Sequence, residues 1–165
     1  MSDLYAEAGV KRKDTFETYV LRFLLIFGAI VAFLLTLQNS ILLFVTAILI
    51  MVIVYIFPRL SVEYEYVFCD GQLDFDKIMG NAKRKTVMKL DFEQIEMMAP
   101  QGSHTLDGFT NVKCTVKDFS SKRKDVKPYI IIARKGEMRL KIFFEPNENM
   151  ISCMKTKFPR KISEY

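Results

Sequence analysis

YVLRFLLIFGAIVAFLLTL (Tyr19 to Leu37), then QNS (Gln38 to Ser40), then ILLFVTAILIMVIVYIF (Ile41 to Phe57) sets the architecture of this chain. The two apolar runs hold 19 and 17 residues. As helices rising ~1.5 Å per residue they span roughly 28 and 26 Å, close to the roughly 30 Å hydrocarbon core of a bilayer. A link of three polar residues makes the two helices antiparallel neighbours, so the segments before and after the hairpin share one side of the membrane. Arg22 is the one charged residue within the two runs. It lies about a turn inside the first, from where its side chain can snorkel back to the headgroups, and with no acidic partner at that depth it does not mark an ion pathway. Gly28, Ala29 and Ala32 on the first helix and Thr46 with Ala47 on the second are small-residue patches through which two backbones can approach. Such a hairpin reads as an anchor rather than a pore.

Upstream, residues 1–14 read as a polar tail, and residues 15–57 as the transmembrane hairpin. Asp14-Thr15-Phe16-Glu17 has the form of a capping box, which starts the first helix. A cleaved secretory signal does not fit, because the first apolar run exceeds a usual signal core, no small-residue cleavage pattern follows, and a second span comes directly after it. Lys11, Arg12, Lys13 and Arg22 precede the hairpin, Arg59 and Lys77 follow it, and the link carries no cation. Both termini are therefore expected in the cytoplasm, with Arg22 and Arg59 as anchors at the membrane interface. Cys69, Cys114 and Cys153 are odd in number and widely spaced, as expected of reduced thiols in a reducing compartment.

Past Pro58 the hydrophobic period changes to two. Val62, Tyr64, Tyr66 and Phe68 alternate with Ser61, Glu63 and Glu65, which predicts a half-buried strand. Asp70-Gly71 predicts a tight hairpin into a second strand, Leu73 to Met79, closed by Gly80-Asn81. Further strands are expected at Thr86 to Leu90, Phe92 to Met98, Val112 to Phe119, Pro128 to Arg134 and Glu137 to Phe144, about seven in all, with Pro100 to Asn111 as the longest loop. Asn147 is a candidate N-cap for a final helix carrying Met150, Ile151, Met154 and Phe158 at helical spacing. A meander of antiparallel strands followed by one amphipathic helix fits a bent sheet or small barrel whose open end the helix plugs. The first 57 residues carry four charges of each sign, so the whole net charge of +5 belongs to residues 58–165. A basic domain beside a membrane suits an anionic leaflet, and equally serves solubility.

Glu65-Tyr66-Val67-Phe68-Cys69-Asp70-Gly71-Gln72-Leu73, then Lys83-Arg84-Lys85, then Val87 to Glu96, resembles the opening of bacterial pleckstrin-homology-like (PH-like) domains. Phe144-Glu145-Pro146-Asn147 through Phe158-Pro159-Arg160-Lys161 is similar to the closing strand and helix of that family. The resemblance covers roughly residues 60–162. It implies an α+β membrane protein in which the N-terminal transmembrane helical hairpin precedes a PH-like domain over residues 58–165, a seven-strand bent antiparallel sheet or barrel capped by a C-terminal helix. It also implies binding and scaffolding rather than catalysis, in a small bacterial protein of the inner (plasma) membrane. Lipid-binding PH domains gather cations around the first hairpin loop. Here that loop reads as Cys69 to Gln72, which has no base, so specific phosphoinositide recognition is not implied.

Two basic runs, Lys83-Arg84-Lys85 and Lys122-Arg123-Lys124, fall in expected hairpin ends and are the candidate contacts for anionic lipid headgroups, with solvated loop ends as the plainer reading. Ser103, His104 and Asp107 share one loop, but a triad needs groups converging from rigid elements with an oxyanion site, and no catalytic residue is assigned. One His and three dispersed Cys give no zinc spacing, and Asp70, Asp74 and Asp76 lack the rest of a calcium loop, so no metal or cofactor is expected. Asp74 and Asp76 read as the solvent face of a strand. No nucleic-acid recognition motif appears, and no small-molecule substrate is identified. The expected partners are the lipid bilayer and either an unidentified protein or a second copy, with an exposed sheet edge or the groove beside the last helix as the place for a peptide strand. The expected function is a non-enzymatic, membrane-anchored binding or scaffold module, with an anionic-lipid sensor as the alternative and an accessory subunit of a membrane enzyme or transporter as a third.

Overall fold

The computed structural model describes residues 4–37, 41–80 and 83–163. The expected link Gln38-Asn39-Ser40, and Asn81, lie outside the described residues. In chain order the elements are β1 (Tyr5–Lys11), α1 (Phe16–Thr36), α2 (Leu42–Ile56), a 3-10 turn at Phe57–Leu60, β2 (Val62–Cys69), β3 (Gln72–Met79) and β4 (Lys83–Asp91). After a 3-10 turn at Phe92–Gln94 come β5 (Ile95–Pro100), a 3-10 helix at His104–Phe109, β6 (Thr115–Asp118), β7 (Tyr129–Lys135), β8 (Met138–Phe144) and α3 (Glu148–Lys157).

β1 corrects the expectation of an N-terminal tail. It pairs antiparallel with β2 over its full length, Tyr5 opposite Cys69 and Lys11 opposite Glu63. Ala6 and Ala8 turn inward opposite Phe68 and Tyr66, while Tyr5, Glu7 and Gly9 turn outward and are exposed. The expected boundary at residue 58 therefore gives way. The domain begins with β1, and the apolar hairpin is an insertion between its first two strands. The described residues hold eight strands rather than seven, the added one being β1.

The strands form two four-stranded sheets, ordered β1-β2-β3-β4 and β5-β7-β8-β6. Within the first, Asp70 (φ 45°) and Gly71 (φ 97°) supply the left-handed pair that the two-residue β2–β3 turn needs. β6 departs from the expected meander: it runs parallel to β8, because the chain crosses from its end to β7 and places β8 between the two. The sheets share one apolar core. Tyr66, Phe75 and Phe144 meet edge to face at centroid separations of 5.5–5.9 Å, and Phe119 stacks on Phe75 at 4.9 Å. Each such ring, fully buried, contributes roughly 1.5–3 kcal/mol by removal from water. As expected, Asn147 caps α3, its Oδ1 accepting from the Met150 amide at 2.8 Å, and Met150 and Met154 enter the core. Phe158 stacks on Phe92 at 4.4 Å and closes the end of the domain away from the hairpin.

α1 and the helical stretch Leu42–Leu60 are each long and apolar enough to cross a membrane, by length and composition. No described residue of α1 is buried, and Thr46 is the one buried residue of α2. The Thr46 Oγ1 lies 3.0 Å from the carbonyl of Leu42 and 3.3 Å from that of Ala32 on the facing helix. Ala32 and Thr46 thus meet as expected, whereas the space around Gly28 is open, so Gly28 takes no part in the contact. Thr15 stands at the N-cap of α1 without a side-chain bond, and the Asp14 carboxylate is used instead by Arg22, whose Nη1 donates to it at 2.6 Å. Arg22 does have an acidic partner. It reaches it by turning back toward the start of the helix, over the ring of Phe57.

Candidate functional site

The insertion gathers basic residues from distant parts of the chain at the end of the domain from which the hairpin leaves. Lys11, Arg12 and Lys13 lead from β1 into α1. Arg12 donates to the hydroxyl of Tyr64 at 2.7 Å, and with Lys13 and Lys77 it lines a small cleft floored by Leu60 and Val62. The Lys13 amide donates to the carbonyl of Ser121 at 2.8 Å, which draws the loop carrying Lys122, Arg123 and Lys124 to the same end. That loop is fixed from behind by Glu145, whose Oε1 accepts from both the amide and the hydroxyl of Ser121 at 2.8 Å. On the other flank Gly80 donates to the carbonyl of Ser61, and a Cβ placed on Gly80 would lie 2.6 Å from Cβ of Pro58. Only glycine, here at φ +61°, lets the β3–β4 end close onto the 3-10 turn that carries Arg59.

Lys83, Arg84 and Lys85 are the first residues of β4 rather than a free hairpin tip, and they do not act as a unit. Arg84 turns onto the outer face of the first sheet, where Nε donates to Asp76 at 2.6 Å and Nη2 reaches Glu65 at 2.8 Å. The hydrogen bond to Asp76 holds the Arg84 guanidinium even above its ordinary range. Asp76 is only 6% exposed, which corrects its placement on the solvent face: it points outward, opposite Glu65, but Arg84 covers it. Asp74 is likewise engaged, by Lys89 at 2.9 Å, and that hydrogen bond raises the Lys89 ammonium. Lys122 lies 3.7 Å from Asp118. By contrast Lys13, Arg59, Lys77, Lys83, Lys85, Arg123 and Lys124 have no carboxylate within ion-pair distance among the described residues. Arg84 and Lys89 of the sheet face are neutralised, and at the hairpin end Lys11 is paired with Glu63 at 4.0 Å, while the seven cations without a carboxylate are left to meet something else.

The other sequence candidates lie elsewhere. Ser103 caps the 3-10 helix by accepting from the Thr105 amide, while the fully exposed ring of His104 contacts Asp107 at 3.3 Å. The free edge of β5 is met at Met98 by one isolated parallel bridge to Ile162: the Met98 amide donates to the carbonyl of Lys161, and the Ser163 amide donates to that of Met98, both at 2.8 Å. Asp70-Gly71, expected as the first hairpin loop, is the second connection, at the end away from the helices. The first connection is the hairpin itself, flanked by Lys11, Arg12, Lys13 and Arg59. Arg12, Lys13 and Lys77 were missed as site residues because they belong together only once β1 is seen to pair with β2.

Two sheets around one aromatic core, closed by a C-terminal helix and carrying two apolar helices in the first strand connection, define an α+β domain of PH-like class with an inserted helical hairpin. The family model for the bacterial PH-like domain (DUF6106) matches residues 2–164, and the chain belongs to that family. That match includes β1 and the hairpin, in keeping with one domain interrupted by two apolar helices. Comparison with curated proteins and with solved structures gave no match.

Proposed function

We propose that the chain is a membrane-anchored, non-enzymatic binding module of the bacterial inner membrane. α1 and α2 cross the bilayer as a hairpin, both termini are cytoplasmic, and the PH-like domain sits against the cytoplasmic leaflet, offering its remaining surface to a protein partner or a second copy. The observation that carries this is the position of the hairpin between two paired strands. Both ends of the apolar segment are bound into one sheet, so they leave and re-enter on one side. The anchor acts by proximity, since confinement to a layer raises the effective concentration of the domain for other membrane-bound proteins without any new contact. Alkaline washing of membranes and crosslinking in intact cells, followed by identification of the adducts, test the two halves. Retention in the washed membrane and a discrete adduct, self or foreign, are expected. Release by alkaline washing overturns the anchor, and absence of any discrete adduct overturns the binding role.

A second reading, electrostatic contact with anionic headgroups, is favoured by the unpaired cations of the hairpin end. Each cation near an anionic surface adds about 1 kcal/mol. Replacing Lys122, Arg123 and Lys124 by Gln in the full chain is expected to increase protease access to the domain in vesicles rich in phosphatidylglycerol. Equal access in neutral and anionic vesicles for the unmodified chain removes this reading.

A further inference from the structure

Where α2 runs into the domain there is a groove of about 450 Å³, lined by Val54, Tyr55, Pro58, Arg59, Met79, Gly80 and Lys83. Its walls are mostly apolar: Val54 and Tyr55 face out from the last turns of α2, and Met79 ends β3. Two cations flank it. The Arg59 guanidinium lies 3.7 Å above the centre of the Tyr55 ring, a stacked position that fixes the plane of the fork while leaving its edge N–H groups free to donate. Lys83 also lines the groove, placed by its pairing with Met79 across the β3–β4 ladder. Neither has a carboxylate partner among the described residues.

We propose that this groove is a binding site for one anionic glycerophospholipid of the cytoplasmic leaflet, its phosphodiester held between Arg59 and Lys83 and its glycerol and upper acyl segment lying along Tyr55, Val54 and Met79. The inference rests on the membrane reading given above, and it differs from a diffuse electrostatic attraction in naming a single occupant. Charge and depth both favour the lipid. The cations sit just where an apolar helix ends, which is where the phosphate layer of a bilayer lies relative to a span ending near Phe57. The apolar walls continue directly onto the exposed side of α2, so an acyl chain entering from the bilayer leaves the groove without crossing a polar surface. A soluble phosphate would leave Val54, Tyr55 and Met79 uncovered.

The test uses the full chain in nanodiscs of phosphatidylcholine containing a minority of phosphatidylglycerol, released into detergent for native mass spectrometry. One retained phosphatidylglycerol per chain is expected. Combined Arg59→Gln and Lys83→Gln should weaken its retention about 30-fold, from the contribution of two surface cations, and the Lys122, Arg123 and Lys124 triple Gln variant should leave it unchanged. Equal loss in both variants, or retention of phosphatidylcholine in place of phosphatidylglycerol, overturns the proposal. So does protection of Arg59 from modification by inorganic phosphate in a preparation that retains no phospholipid, which would assign the cations to a free anion. A chain that fails to enter nanodiscs at all sinks the membrane reading, whereas one that enters them without retained lipid sinks only the site.

Discussion

Replacing Ala6 by Asp tests whether the first strand is part of the domain. Ala6 is 2% exposed and lies opposite Phe68, in a cross-strand row continued by Leu73 and Leu90, all three fully buried. A carboxylate at this point has only apolar neighbours along the row. Kept ionised and unpaired it costs about 3–5 kcal/mol. Protonated, it still leaves a buried hydroxyl short of a partner at about 1–3 kcal/mol, and the added volume contributes a further strain of about 1–3 kcal/mol. A loss of about 3 kcal/mol or more, from a total that for a domain is about 5–15 kcal/mol, corresponds to a fall in Tm of roughly 12–24 °C. The chain contains no Trp, so near-ultraviolet circular dichroism reports its tyrosines, among which Tyr64 and Tyr66 lie in the core. Melting the full chain in detergent by this signal therefore follows the domain rather than the helices alone. Glu7→Gln, one residue along and facing outward, should shift stability by no more than about 0.5 kcal/mol. If Ala6→Asp melts with the unmodified chain, residues 5–11 are not seated on β2, and the insertion of the hairpin into the sheet falls with them.

Tyr66→Phe removes a buried hydroxyl that donates to the Phe119 carbonyl at 2.5 Å, and should cost about 1–3 kcal/mol in denaturant unfolding; an unchanged midpoint would mean that the bond is not made. Burial is the main cause that holds this hydroxyl above the ordinary value of 10, so the unfolded chain ionises first as pH climbs. The stability tied to Tyr66 is thus complete below pH 10 and lost as pH rises above it, and the Phe variant should show the shallower decline; identical alkaline slopes would refute this. Gly80→Ala sets a Cβ 2.6 Å from Pro58 at a left-handed φ, which costs at least about 1–2 kcal/mol and should also loosen lipid retention by displacing the turn that carries Arg59. Wild-type stability and retention in that variant would show that the contact does not position the groove.

Most of the strands after the hairpin are legible, because Val62–Cys69 and Met138–Phe144 alternate with large inward residues and Tyr129–Lys135 is a short continuous apolar run, buried from Ile130 to Ala133. Val62 to Phe68, Leu73 to Met79 and the last two strands fall close to their expected limits, as does the helix announced by Asn147. β1 escaped for a physical reason. Its inward positions are Ala6 and Ala8, small residues of low β propensity that give a weak alternation signal, and they suffice because the facing Phe68 and Tyr66 fill the core from the other strand. Of the candidate site, the two basic runs were visible as charge runs, but which of their members remain unpaired was not. Glu65 and Asp76 on neighbouring strands, and the position of Arg84 above them, exist only as a register. Tyr55 read as one more apolar residue of a span, and its place beneath Arg59 depends on the turn at Pro58.

The insertion also makes strand pairing and membrane topology depend on each other. β1 ends at Lys11 and β2 begins at Val62, and they can pair only if the chain between them returns to the side it left. With the two apolar helices read as spans, an odd number of crossings would put the two strands on opposite leaflets and leave Ala6, Ala8 and the edge of β2 without partners. The register of β1 on β2 is therefore a constraint on topology: with the helices read as spans, it keeps both ends on one side, while which side rests on the count of Lys and Arg alone. The converse dependence follows from chain entropy. Closing an unstructured loop of that length carries a cost that grows as (3/2)RT ln n, about 3.5 kcal/mol for roughly 50 residues, whereas a helical hairpin delivers its two ends side by side and removes most of it. The apolar hairpin is in this sense a rigid turn of the first β-hairpin, and a defect in either helix should register as a loss of order in the sheet.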